Sequence, residues 1–193
     1  MMCSLVRPSV GLLVICLYVR SICCAQMQSR KFYVVERFDN CPNERHLIFF
    51  VRNYTYEKSG SNLIVNGYED ITKDSEQLLW MSIEVEKCKD KSNPDTCEYF
   101  VTWKWDNACT FFAILPPFRS YIQAHSPAWK CPLKKGTYKV TNATMEGELG
   151  LQFLKGDSRV LWKLRIIVKN PRANVVIECL DLHFRIVSVR TKS

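Results

Sequence analysis

Ten cysteines and three histidines are the residues of this chain with the most usable chemistry, and their spacing points to cross-linking. His46, His125 and His183 stand in no metal-ligand or nucleophile motif. No cysteine pair shows the short spacing of a structural zinc site. His183 alternates with Asp181 and Arg185 on one face of a strand, the pattern of a solvated polar face. Glu84 and Glu86 share the outer side of another alternating strand. General acid–base work needs one such carboxyl buried in a cleft with a raised pKa, and the pattern offers no cleft. The expectation is a protein without catalytic residues, metal or cofactor, and not an enzyme.

The cysteines divide at one position. Arg7 precedes an apolar core from Val10 to Val19, and Cys23-Cys24-Ala25 ends in small residues before Gln26. Residues 1–25 therefore read as a secretory signal peptide, too short in its apolar run for the roughly 20 residues of a membrane span. Cys3, Cys16, Cys23 and Cys24 would leave with it, and Cys41, Cys88, Cys97, Cys109, Cys131 and Cys179 remain. Six cysteines in an oxidising compartment suit three disulfides. Without the first 25 of 193 residues, 168 remain for one domain, 26–193. Losing Arg7 and Arg20 lowers the formal net charge from +8 to +6. The basic residues are spread along the chain as on a solvated face, so nucleic acid is not an expected partner. Two sequons, Asn53-Tyr54-Thr55 and Asn142-Ala143-Thr144, agree with export and mark Asn53 and Asn142 as glycosylation sites.

The elements that must position these residues alternate with period two. Val160, Trp162, Leu164, Ile166 and Val168 alternate with charged residues, Asn170-Pro171-Arg172-Ala173 turns the chain, and Leu180, Leu182, Phe184 and Ile186 continue the alternation. This is a long antiparallel hairpin. Phe32 to Phe38, Leu47 to Tyr56, Asn62 to Tyr68, Leu78 to Lys87, Glu98 to Trp105 and Gly136 to Ala143 are further strand candidates. Asn107 to Phe112 and Pro117 to His125 suit short helical turns, interrupted at Pro116-Pro117. The fold class expected is all-β, a two-sheet antiparallel cup or sandwich of about eight strands, with one irregular, partly helical segment at about 106–130.

Cys88 and Cys97 flank a polar hairpin tip and would close it; Cys109 and Cys131 would tie both ends of the irregular segment to the sheet. Cys41 and Cys179 would join the N-terminal region to the last strand. Fifteen pairings are open to six cysteines, and sequence does not choose among them.

Aromatic residues crowd the stretch from Trp80 to Trp129. Any one of them most simply fills a core. An irregular segment that is also apolar needs something to cover, and a lid over a hydrophobic cavity is one answer. Trp105, Phe111, Phe112, Phe118, Tyr121 and Trp129 are the candidate ligand-binding residues. Lipid binding leaves no short motif, because affinity comes from buried area at about 0.8 kcal/mol per CH₂.

Cys131-Pro132-Leu133-Lys134-Lys135-Gly136-Thr137-Tyr138 resembles the Cys-Pro-x-Lys-x-Gly-x-Tyr segment of the ganglioside activator protein group, ML-type lipid-recognition proteins. The resemblance is closer to the arthropod chemosensory A and B type secreted proteins. It extends to Cys41, the hairpin at Cys88 and Cys97, the element from Trp105 to Phe112, and a last strand with Cys179. It implies a β-cup with a lipid cavity between splayed sheets, and the three pairings above are similar to pairings of that family. The activator protein has a further disulfide in the irregular segment; no cysteine lies between 109 and 131 here to form one. The expected function is a secreted, non-catalytic carrier of a small hydrophobic ligand, a lipid or, by the arthropod resemblance, a hydrocarbon pheromone. Membrane-surface or receptor contact would accompany that role. The rivals are an extracellular interaction module with a filled core, and a lysosomal cofactor that presents lipid to a hydrolase.

Overall fold

The computed structural model describes residues 28–42, 44, 47–59, 62–76, 79–114, 116–145, 154 and 158–191. The signal read at 1–25, His46 and Leu78 lie outside them. The chain divides into two compact units, Lys31–Ser188 and the terminal segments Met1–Arg30 with Val189–Ser193. Of the second unit only 28–30 and 189–191 are described, all of them strand.

Alternating apolar and polar residues yield nine strands among the described residues: β1 (Gln28–Asn40), β2 (Phe49–Ser59), β3 (Asn62–Ile71), β4 (Trp80–Cys88), β5 (Cys97–Trp105), β6 (His125–Ser126), β7 (Gly136–Met145), β8 (Leu161–Asn170) and β9 (Val175–Thr191). Two helices, α1 (Ala108–Ile114) and α2 (Pro116–Gln123), lie between β5 and β6. The strands form a five-stranded sheet, β1-β9-β8-β4-β5, and a four-stranded sheet, β2-β3-β7-β6. This is the all-β, two-sheet architecture expected from the alternation.

Directly opposed residues of an antiparallel pair share a face. On the five-stranded sheet, Val168, Ile166 and Leu164 of β8 oppose Met81, Ile83 and Val85 of β4. Across the other edge of β8 they oppose Glu178, Leu180 and Leu182 of β9. Trp105, Trp103 and Val101 of β5 complete the row against β4. These residues make the inner face, and the buried cluster around Met81, Ile83, Val85, Phe111, Trp162 and Phe184 is built on it. On the four-stranded sheet the inner row runs Val51, Glu69 and Tyr138 across three strands, with Phe49 and Ile71 one step along. Glu178 and Glu69 thus fall in the inward phase of their sheets.

The sheets are stitched together along the β1 and β2 edges. The Asn40 side chain donates to the Val51 carbonyl at 2.8 Å and accepts from the Val51 N–H at 3.0 Å. Phe38 stacks on Tyr54 with centroids 5.2 Å apart. On the other side the helices form a strap. The α1 helix starts with the Ala108 N–H donating to the Leu79 carbonyl, beside the five-stranded sheet. The α2 helix rests on β7, where Tyr121 and Ala124 pack on Val65, Val140 and Ala143.

Three disulfides form: Cys41–Cys179, Cys88–Cys97 and Cys109–Cys131. These are the pairings the cysteine positions suggest. They suit an oxidising compartment, and among the described residues no helix is long and apolar enough to cross a membrane.

Two readings need correction. The second helical turn, expected to run through His125, stops at Gln123, and His125 starts the two-residue strand β6 against Val140. A strand that short carries no periodicity. The outer face of β9 is also drier than its charges suggest. Asp181 is only 5% exposed, beside the Cys41–Cys179 bridge, and pairs with the Arg165 guanidinium at 3.0 Å. His183 is half-buried, and burial followed by the Lys163 charge holds its pKa below the usual value. Arg185 pairs with Glu36.

Candidate functional site

The Cys131–Tyr138 segment is structural. Leu133 and Tyr138 are buried with Phe49 and Ile71, and the Tyr138 hydroxyl donates back to the Lys134 carbonyl at 2.9 Å. The Leu133 N–H donates to the Ser75 hydroxyl, and the Leu133 carbonyl accepts from the Ser75 N–H. Lys134 pairs with Asp74.

The candidate aromatic residues form a ladder along the strap. Trp105, half-buried on the inner face of β5, meets Phe111 with centroids 4.2 Å apart. Phe111 meets Phe112 at 5.5 Å, and Phe112 meets Trp129 edge-on at 5.5 Å. Trp129 faces His125 at 6.4 Å, which faces Tyr121 at 5.0 Å. Phe111 is buried in the core, whereas Phe112, Tyr121 and Trp129 keep part of their surface. The Phe118 side chain, on α2, lies outside the described residues. Five of the six candidates therefore belong to one contiguous array. Trp80 is exposed and outside it.

The ladder ends in a polar cluster that the sequence reading missed. Glu69, 2% exposed, lies between the sheets, with its Oε2 2.9 Å from Nε2 of the buried His125. The pair is close but poorly aligned for a hydrogen bond, since both atoms otherwise lack one. Nδ1 of His125 lies 2.8 Å from the Tyr121 carbonyl, an acceptor only, so this nitrogen carries a proton. The Tyr54 hydroxyl donates to Glu69 Oε1 at 2.7 Å, and the Tyr121 hydroxyl also donates to it. The two phenols are 2.6 Å apart.

Burial pulls the His125 pKa down, but the closely placed Glu69 carboxylate and the two carbonyls of α2 outweigh it, and the net shift is upward. Burial, then the Glu69 charge, pushes both phenols far above the ordinary tyrosine value, so they stay neutral donors. Across the inter-sheet space, Glu178 is enclosed by protein yet retains accessible surface. Desolvation, followed by the charge of Glu69, raises its pKa well above the carboxylate range.

Gly67 explains how Tyr54 gets there. A Cβ at Gly67 would sit 2.0 Å from Tyr54 Cδ1 and 2.6 Å from Cε1, so the ring lies on the bare backbone. Phe38 stacks on the same ring, which leaves it little freedom to yield. Gly67→Ala is expected to cost about 1–3 kcal/mol through overpacking, read as a lower urea midpoint. An unchanged midpoint would contradict the packing described.

The signal for both carboxylates was strand phase. Val65, Gly67, Glu69 and Ile71 fall on one face once β3 extends past Tyr68, and Glu178 precedes Leu180, Leu182 and Phe184 in the inward phase. Among the described residues no group of His, Cys, Asp and Glu could hold a metal ion. A pocket of about 90 Å³, among Ile48, Asp74, Glu76, Leu79, Asn170 and Ile177, is well below the several hundred Å³ of a typical ligand site. Both sequon asparagines are exposed, at strand irregularities with positive φ: Asn53 at 54° and Asn142 at 51°.

No family model matches this chain, and no curated protein aligns with it significantly.

Proposed function

We propose that this protein is a secreted, glycosylated, non-catalytic carrier of a small hydrophobic ligand, related to the ML-type lipid-recognition proteins. The observation that carries the reading is incomplete burial where a filled sandwich would be dry. Leu164 and Ile166 lie on the central strand β8 and point between the sheets, yet both are only half-buried. Leu182, Val101, Trp103 and Trp105 on the same inner face are also half-buried. An apolar chain laid there would cover them, gaining about 25 cal/mol for each Å² removed from water. The strap of α1, α2 and Trp129 would close over it, and the ligand's chemistry would remain unchanged.

Native mass spectrometry of the protein secreted from eukaryotic cells, with organic extraction of its cargo, tests this. A co-purified lipid of defined mass supports the carrier. An empty protein that also refuses fatty acids, sterols and long-chain hydrocarbons refutes it. Trp129→Ala is expected to weaken ligand affinity about tenfold or more by removing contact area, with a smaller effect on thermal stability. Phe112→Ala should behave alike. Lost stability with unchanged affinity would assign both rings to the core.

One observation favours the interaction module. Edge strand β5 carries Tyr99, 71% exposed, and Phe100, 46% exposed, and exposed edge aromatics suit a protein partner. A lysosomal lipid-presenting cofactor would use the same inter-sheet space, with a hydrolase docked at its rim.

A further inference from the structure

We propose that Glu178 and the Tyr54–Tyr121–Glu69 cluster form a polar subsite between the sheets. It would receive one uncharged oxygen group, a hydroxyl or carbonyl, on an otherwise apolar ligand. This deepens the carrier reading and rests on it.

Glu178 is the anomaly that leads there. It opposes Val168 on the inner face and shares that face with Leu180, Leu182 and Phe184. Among the described residues no hydrogen bond or ion pair reaches its carboxyl, although protein encloses it. Enclosed carboxyls are ordinarily satisfied by protein, and an unmatched one calls for an explanation. Part of the residue's surface stays accessible, as a group lining a space does. Across that space the Glu69 charge reaches Glu178, and the Tyr54 hydroxyl lies within the electrostatic reach of Glu178. Tyr121 belongs to the same cluster and also keeps accessible surface.

The chemistry narrows the ligand. In either protonation state the carboxyl accepts from an alcohol, and when protonated it also donates to an aldehyde, ketone or ester. A plain alkane would fill the apolar row and leave Glu178 unmatched. A ligand carboxylate would bring a further negative charge beside Glu69 into a poorly solvated space, where like charges repel strongly.

The test is displacement of the fluorescent probe N-phenyl-1-naphthylamine from the delipidated, secreted protein at pH 7. The competitors are hexadecane, hexadecan-1-ol and hexadecanoic acid, which share a chain length and differ at one end. The alcohol is expected to bind about tenfold more tightly than the alkane, as for one well-placed hydrogen bond in a dry site, and more tightly than the acid. Glu178→Met should bring alcohol and alkane within about twofold of each other, while Glu178→Gln, which keeps donor and acceptor, should preserve the preference. Equal wild-type affinity for alcohol and alkane overturns the subsite, as does a preference that survives Glu178→Met. The wild-type ranking stands even if Glu178→Met does not fold. A wild-type protein that takes up neither probe nor any competitor overturns the carrier reading itself, an outcome distinct from uptake without preference.

Discussion

Replacing both Cys41 and Cys179 by alanine is expected to lower stability by about 5 kcal/mol, the largest effect of any change considered. The bridge spans a separation of 138 residues and ties the end of β1 to β9. In the loop-entropy account, closing a loop of this size removes roughly that much freedom from the unfolded chain. By the same account Cys109–Cys131, separated by 22 residues, contributes about 3.4 kcal/mol, and Cys88–Cys97, separated by 9, about 2.7 kcal/mol. Net stabilities are commonly 5–15 kcal/mol, so the first variant should be marginal or unfolded at 37 °C while the last folds. Urea titration of the three double variants gives the order. A Cys88/Cys97 variant weaker than the Cys41/Cys179 variant would place the principal constraint elsewhere.

Second in size is His125→Ala, expected to cost about 3–5 kcal/mol at about pH 5, where protonated His125 faces the buried Glu69 carboxylate. The Glu69→Gln, His125→Gln pair should recover part of that loss, since neither partner is then charged. A loss below about 1 kcal/mol for His125→Ala would mean that water reaches the pair.

The same groups set a pH dependence. The folded-state pKa of His125 is raised, so its contribution is fully present below the unfolded value of about 6.5 and is lost as pH rises through the folded value. Glu178 acts in the same sense. Its pKa is raised well above the unfolded value of about 4.3, so its ionisation works against folding and stability falls as pH climbs from there. Exposed Asp74 and Glu98, with lowered pKa values, act oppositely at acid pH, and His183, also lowered, opposes below its unfolded value of about 6.5 without cancelling the two raised groups. The urea midpoint should therefore be higher at about pH 5 than at about pH 8, and Glu178→Gln should reduce the difference. A midpoint that rises between those values would contradict the assignment.

The β8–β9 hairpin was legible because its inner and outer residues differ sharply, and its turn is written in Asn170 and Pro171. Asn170 Oδ1 accepts from the Arg172 N–H at 2.9 Å and caps that turn. The disulfide pairings were suggested rather than chosen by position: Cys88 and Cys97 flank a hairpin tip, and Cys109 and Cys131 bracket the irregular segment. Three of the residues that make the polar cluster were not legible. Glu69 falls just beyond where hydrophobic alternation stops, and a single carboxylate in phase with Val65 and Ile71 looks like a strand end. Tyr54 registered only as the middle of a sequon, and its inward placement depends on the irregularity between Arg52 and Thr55. His125 owes its position to β7, a long-range partner that local pattern does not carry. Tyr121 was singled out as an aromatic, but its hydroxyl's role depends on Glu69.

The bidentate stitch of Asn40 on Val51 makes the two sheets the covers of a book bound along one spine. Among the described residues the opposite margin shows no backbone hydrogen bond between covers; there α1 belongs to one cover and α2 to the other, meeting near Pro116. In the proposed carrier, covers bound at one side would part most at the other. Its selectivity would then be for girth more than for length. A slender chain could slide to any depth, whereas a branched or ringed one would stop where its cross-section meets the closing covers.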